Sequence, residues 1–369
     1  MRALKVFFLA LLILAVLGGA GFGVLAWRQA VDARSLDKVI VEPAPPQAEA
    51  PQEPVLVDPR LQGLRARPDG ARLLWAPAAG ERIAAAGFAD DGALILSASS
   101  TDGTSARWRV LRLEIASGTP ETIFDSKEPR IVSGDRSVQS AVGRLCYSKP
   151  NAAGVFDVWC SDTHGRDEKQ LTGHDGKEDL LSPSISPDGK WVAFEVNGDR
   201  SFKPKRSAAG KTAASELSHG ASSIWKIGMD GADIQQLTRG ADDRHPSWSS
   251  DGRKIHFQRR LTDGNWDIYA MQADGTDPAP ILRTADIDEL FPVYRGAGDG
   301  FLLSELSGSG TPRLKLLDAV TKSGEDLTSG LVPETRPSVS PDGKIASFLA
   351  PVDAAKPDDL ALWLLPLGG

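Results

Sequence analysis

His164, His174, His219, His245 and His256 are the chain's five histidines and the first residues to test for chemistry. None forms HxH, HExxH or another compact ligand pair, and the two cysteines lack CxxC spacing, so no metal site is expected. A nucleophile elbow, GxSxG, is absent, and SGSGT at 307–311 has the wrong spacing. AAGKT at 208–212 resembles the end of a phosphate loop, yet Lys205 stands where its first Gly belongs and no strand feeds it. These patterns lead us to expect no catalytic residue and no cofactor. His256 alternates within the strand-like KIHFQ, whereas His245 directly precedes a proline in a repeated stretch.

That stretch organises the chain. SPSISPDGKWVAF at 182–194 returns as HPSWSSDGRKIHF at 245–257 and RPSVSPDGKIASF at 336–348, and FPVYRGAGDGFLL from Phe291 is a looser copy. Asp-Gly between apolar runs is a hairpin signal, because glycine accepts the positive φ of a tight turn. A third strand follows, as in SSIWKIGM or WDIYAMQA, and a second turn leads to a short fourth strand such as IQQLTRG. Four antiparallel strands repeated at this spacing predict β-propeller blades. The fold class expected is all-β: a six-bladed β-propeller over 61–369, with blades at about 83–125, 130–173, 181–240, 244–284, 289–330 and 334–369. The last blade runs out of chain after its third strand, and 71–77 is the strand expected to close the ring.

In such a ring the first strand of each blade lines the axis. Ser182, His245, Phe291 and Arg336 then ring one opening, with Asp179, Asp242, Asp243, Asp288, Glu289 and Glu334 just upstream. If those carboxylates converge, a concave mouth of one sign favours a cation or a basic segment of a partner. The alternative is that they are solvated loop acids. Trp159, Trp225 and Trp363 share one third-strand position and are expected to pack between blades.

The repeat resembles that of the TolB-type propellers: Pro-Ser-x-Ser-Pro-Asp-Gly-Lys with an apolar strand, Asp-Ile-Tyr-x-Met-x-x-Asp-Gly, and a closing Leu-Thr. The likeness covers about 180–369 well and 83–173 loosely. It implies a propeller face that binds an envelope protein or peptide. TolB proteins carry an α/β domain before the propeller, where this sequence has an apolar run and a linker, so duties of that domain do not transfer. A prolyl-oligopeptidase-like enzyme needs a hydrolase domain for which no residues remain. Oligogalacturonate lyase, which also has TolB-like repeats, implies the competing expectation: a metal-dependent polysaccharide lyase or hydrolase using propeller-mouth histidines. Only His245, with His174 nearby at most, fits that pattern.

The N-terminal residues bear on location. Val6–Trp27 is an uncharged apolar run preceded by Arg2 and Lys5, long enough to cross the ~30 Å hydrocarbon core of a bilayer as a helix. It is expected to be a signal anchor at 6–27, with 1–5 cytoplasmic, holding the propeller in the periplasm on the inner membrane; a cleaved signal peptide is the alternative. The Pro/Ala/Glu-rich 28–60 is expected to be a linker. A net charge of −7 argues against nucleic acid as partner. The polar insert at 197–221 is either a solvated loop or a basic contact surface. Cys146 and Cys160 would sit opposite each other if RLCYS and DVWCS form a hairpin, within disulfide reach; two buried thiols are the alternative.

Overall fold

The computed structural model describes residues 58–367 except 91, 102–104, 134–137, 140–142, 175, 198–220, 262–263, 296–299, 308–309, 319 and 322. The expected anchor and most of the linker and of the polar insert lie outside the described residues. Among those described, no helix is long and apolar enough to cross a membrane.

Six antiparallel sheets form the propeller. Blade 1 comprises Glu81–Asp90, Ala93–Thr101, Ala106–Glu114 and Pro120–Ser126. Blade 2 comprises Val138–Gln139, Arg144–Pro150, Phe156–Asp162 and Lys169–Gln170, and an isolated bridge pairs Ile131 with Ser148. Blade 3 holds Asp179–Ile185, Trp191–Asn197, Ser223–Gly228 and Gln235–Gln236. Blade 4 holds Asp242–Trp248, Lys254–Arg260, Trp266–Gln272 and Ala279–Leu282. Blade 5 holds Ile287–Tyr294, Gly300–Ser307, Arg313–Asp318 and Gly324–Asp326. Blade 6 takes Thr335–Val339, Ile345–Pro351 and Leu360–Pro366 from the C-terminal end, and Arg72–Trp75 and Arg65–Ala66 from the N-terminal side. Leu73 pairs with Trp363, so the two ends of the ring close in one sheet. The first strand of every blade packs beside that of the next, and blade 6 returns to blade 1.

The Asp-Gly motif works the same way in three blades. Ser186 Oγ donates to Asp188 at 2.7 Å and accepts from Trp191 N, while Asp188 accepts from Lys190 N. Ser249 with Asp251, and Ser340 with Asp342, repeat these bonds. Gly189, Gly252 and Gly343 take φ of 69°, 69° and 72°, values that a Cβ would penalise.

The apolar residues gather at the seams between blades. One cluster joins Val158 and Cys160 of blade 2 to Leu180, Phe194 and Trp225 of blade 3. Another joins Leu302 and Leu314 of blade 5 to Phe348 and Trp363 of blade 6. Trp159 packs against the seam of blades 1 and 2. Each fully buried Leu or Phe contributes on the order of 1.5–3 kcal/mol, so the seams are what make the ring cohere. Cys146 and Cys160 are directly paired on neighbouring strands, their Cα atoms 4.1 Å apart, and are joined as a disulfide.

Candidate functional site

A cavity of about 230 Å³ lies where the first strands meet, and all six blades contribute to its wall. Its position follows from a shared irregularity. Pairing in blades 3, 4, 5 and 6 slips across Leu181/Ser184, Arg244/Ser247, Leu290/Val293 and Thr335/Ser338. A proline sits inside each slip, where its missing N–H costs no ladder bond. The residue before it is left-handed: Ser182, His245, Phe291 and Arg336 have φ of 54°, 53°, 54° and 52°. Non-glycine residues persist there only when their surroundings hold them, and such strain tends to collect at functional sites.

Neighbouring blades supply that hold. Glu195 on the second strand of blade 3 accepts from His245 N at 3.3 Å, and Gln258 of blade 4 accepts from Phe291 N at 2.9 Å. Ser304 of blade 5 donates to the Glu334 carbonyl at 3.0 Å. The side chains then touch in sequence around the axis. Ser182 Oγ lies 3.1 Å from His245 Nδ1, the His245 and Phe291 rings are 4.7 Å apart, and Arg336 donates to the Ala84 carbonyl of blade 1. Pro246, Pro292 and Pro337 complete an apolar wall.

Burial, helped by the Arg336 and Arg244 charges, pushes the His245 imidazole down to about 3, so it is neutral at any physiological pH. Burial raises the Glu195 carboxyl to about 7 despite the Arg244 charge. Arg336 is the formal charge on the lining.

Of the residues that the sequence singled out, the cavity takes Ser182, His245, Phe291 and Arg336. The six carboxylates are absent from its wall. Asp179, Asp242 and Asp288 occupy one repeated place and accept the backbone N–H of Phe156, Ser222 and Trp266, at or one residue before the third-strand starts of the preceding blades. Asp242 also pairs with Arg244 and Arg260. Asp243, Glu289 and Glu334 are fully buried. Asp243 pairs with Arg259, and Glu334 accepts from Arg67 and from the Thr328 hydroxyl. They face seams because the first strand must be fastened to the blade before it. The lining's charge is thus the opposite of what a bound cation needs.

The sequence reading missed the share of blades 1 and 2. Ala85, Ile131, Val132, Ser133 and Ser148 line the cavity, but neither blade carries the Pro-Ser signature that marks the others. Among the described residues no group of three or more His, Cys, Asp or Glu could hold a metal ion. The lining offers one histidine and no carboxylate, so it presents no acid–base pair of side chains.

No family pattern and no curated protein matches the sequence. Solved structures do. TolB from Acinetobacter baumannii is 16% identical with a TM-score of 0.54, over 76% of this chain and 65% of that one. The chain therefore spans just under two thirds of that protein's length. A putative TolB from Agrobacterium tumefaciens is 18% identical with a TM-score of 0.51, over 78% of this chain and 91% of that one. XC5397 from Xanthomonas campestris, described as a gluconolactonase, is 18% identical with a TM-score of 0.52, over 81% and 89%. The fold of this chain is that of a TolB-like six-bladed β-propeller.

Proposed function

We propose that the chain is a protein-binding module of a bacterial cell envelope, anchored in the inner membrane by its N-terminal apolar run, with the propeller in the periplasm. The axial cavity receives an extended segment of an envelope protein. The observation that carries this reading is the wall itself: strained residues from four blades, each the last before a proline, share one apolar pocket. A pocket pre-formed by a closed ring limits the ordering cost paid on association. Pockets for drug-sized ligands run to about 300–1,000 Å³, so this smaller one suits a side chain or chain end rather than a folded domain. The fold shared with TolB structures supports the same class of role.

A photo-cross-linking residue placed at Ser182, with one at the exposed Leu331 as control, tests this in intact cells. The expected result is an envelope protein captured at 182 and not at 331. Equal capture at both positions, or none at 182, removes the cavity from the account. Protease added to spheroplasts should degrade the propeller, and protection there would overturn the periplasmic placement. The competing reading, a lyase or hydrolase, shares its fold with the gluconolactonase structure. It predicts a metal bound in proportion to protein and lost on His245→Ala.

A further inference from the structure

The geometry points to a carboxylate as the group that this cavity is built to hold: an acidic side chain or chain end of the bound segment, paired with Arg336. The inference rests on the cavity being the peptide site and adds what the peptide must carry. Arg336 donates to the Ala84 carbonyl, and among the described residues no carboxylate lies within ion-pair distance of it. The partly buried Arg67, Arg109, Arg130 and Arg259 each have one: Glu334, Glu81, Glu168 and Asp243. Arg336 lines the cavity with much of its surface open rather than packed, and desolvation by the surrounding wall pulls its pKa below the usual value. Guanidinium does not give up its proton in proteins, so the cavity wall keeps one positive charge with no protein carboxylate beside it among the described residues.

Local structure keeps the side chain there. The left-handed backbone at Arg336 and the following Pro337 fix where the guanidinium leaves the strand. Elsewhere on the wall are further polar groups suited to an anion. Ser182 and neutral His245 form one hydrogen-bonded pair. The Ser148 hydroxyl is buried and has no hydrogen-bond partner among the described residues. An orphaned buried hydroxyl costs stability unless something outside the protein satisfies it. Guanidinium matches a carboxylate as a two-pronged donor, and the pair is strong where water is scarce. Phe291, Pro246 and Pro292 leave room for an apolar neighbour of that carboxylate, which favours a peptide over a bare inorganic anion.

The test uses the purified full-length protein and fluorescently labelled hexapeptide pools read by anisotropy. One pool has an amide cap and an internal Asp; a second has Asn in its place; a third has a free C-terminal carboxylate and no acidic side chain; a fourth carries phosphoserine. Binders are expected from the first or third pool, and which one identifies the source of the carboxylate. The best binder should weaken about tenfold in Arg336→Gln, the loss expected on removing one partner of a charge pair in a half-enclosed pocket, and less in Arg336→Lys. Sodium acetate should compete with it on the wild-type protein where sodium chloride of equal ionic strength does not, a measurement that holds even if Arg336→Gln fails to fold.

Asn-pool binders of equal strength, insensitive to Arg336→Gln and acetate, would overturn the carboxylate and leave the peptide module standing. Phosphoserine peptides outbinding both acidic pools would replace the carboxylate by phosphate and likewise overturn the inference. Acetate perturbing the aromatic NMR signals of His245 and Phe291 while no pool binds would keep the anion site and reject the peptide. No response to any probe rejects both.

Discussion

Blades 4 and 5 put an acidic residue at the same place on the first strand and surround it in opposite ways. Asp243 lies across from Arg259, which reaches both its oxygens at 2.6 and 2.9 Å. Glu289 lies across from Glu305, a like charge, and Glu305 already pairs with Arg313 at 3.0 Å. Neither Glu289 oxygen has a well-formed hydrogen bond among the described residues. Burial, only weakly opposed by the Thr284 hydroxyl, raises its carboxyl to about 8, and Asp267, Glu305 and Asp288 add to the shift. One blade thus neutralises its acid with an ion pair across its first two strands, and the next with a carboxylic acid that keeps its proton at neutral pH. Blade 3 has the apolar Leu180 at that place, across from Val196, so the scaffold tolerates an ion pair, a protonated acid or a hydrophobic contact there.

The comparison breaks first at Arg259. Arg259→Ala strands the Asp243 charge in a buried seam and should cost about 3–5 kcal/mol in urea unfolding, with much of it restored by Asp243→Asn. No restoration by the second change would mean the ring contacts of Arg259 with Phe257 and Tyr269, not the charge, hold that seam. Blade 2 fastens itself differently, by a covalent bond between its second and third strands. Reducing that disulfide, or replacing both cysteines by alanine, should lower stability by about 3 kcal/mol, the loop-closure expectation for a short loop. A loss near zero would show that packing at the seam of blades 2 and 3 suffices.

Glu289→Gln sharpens the contrast from the other side. A raised acid stabilises fully below its unfolded value of 4.5 and loses that contribution as pH climbs toward about 8. Glu289→Gln should therefore stabilise the protein at pH 8, by about 2 kcal/mol, and change little near pH 4. Thermal melts across that range check the sign, and a destabilised variant at pH 8 would contradict the protonated state. His245 acts in the reverse window. Its lowered pKa keeps its contribution intact above 6.5 and loses it as pH falls toward about 3. His245→Gln should flatten the acid limb of the same melts by about 1–2 kcal/mol, the smallest of the four effects.

Much of the fold was legible because the Pro-Ser-x-Ser-Pro-Asp-Gly stretch does local work. Its serine and aspartate bond within the same turn, so three copies at matching places announce three matching hairpins. The ring of Ser182, His245, Phe291 and Arg336 could be read for the same reason, since each precedes the proline of its slip. The facing of the acids could not. Asp179, Asp242 and Asp288 look like loop carboxylates in one dimension, and their partners are amides some twenty residues upstream in the preceding blade. A signal did exist: Thr238 stands before Asp243, Thr284 before Glu289 and Thr328 before Glu334 at nearly constant spacing. That Glu305 and not an arginine would face Glu289 depends on strand register, which no spacing rule supplies.

The strand Arg72–Trp75 is translated before any blade, yet its seat beside Leu360–Pro366 exists only once the far end of the chain has been made. Throughout synthesis the edge that Arg65–Ala66 leaves uncovered waits for a partner from the far end of the chain, the slowest kind of contact to form. A polypeptide cut short before Leu360 would leave it without that seat, with one flank of the ring open to other edges. Full closure is therefore a report of completeness: a broken or prematurely ended copy should betray itself by clumping rather than by folding.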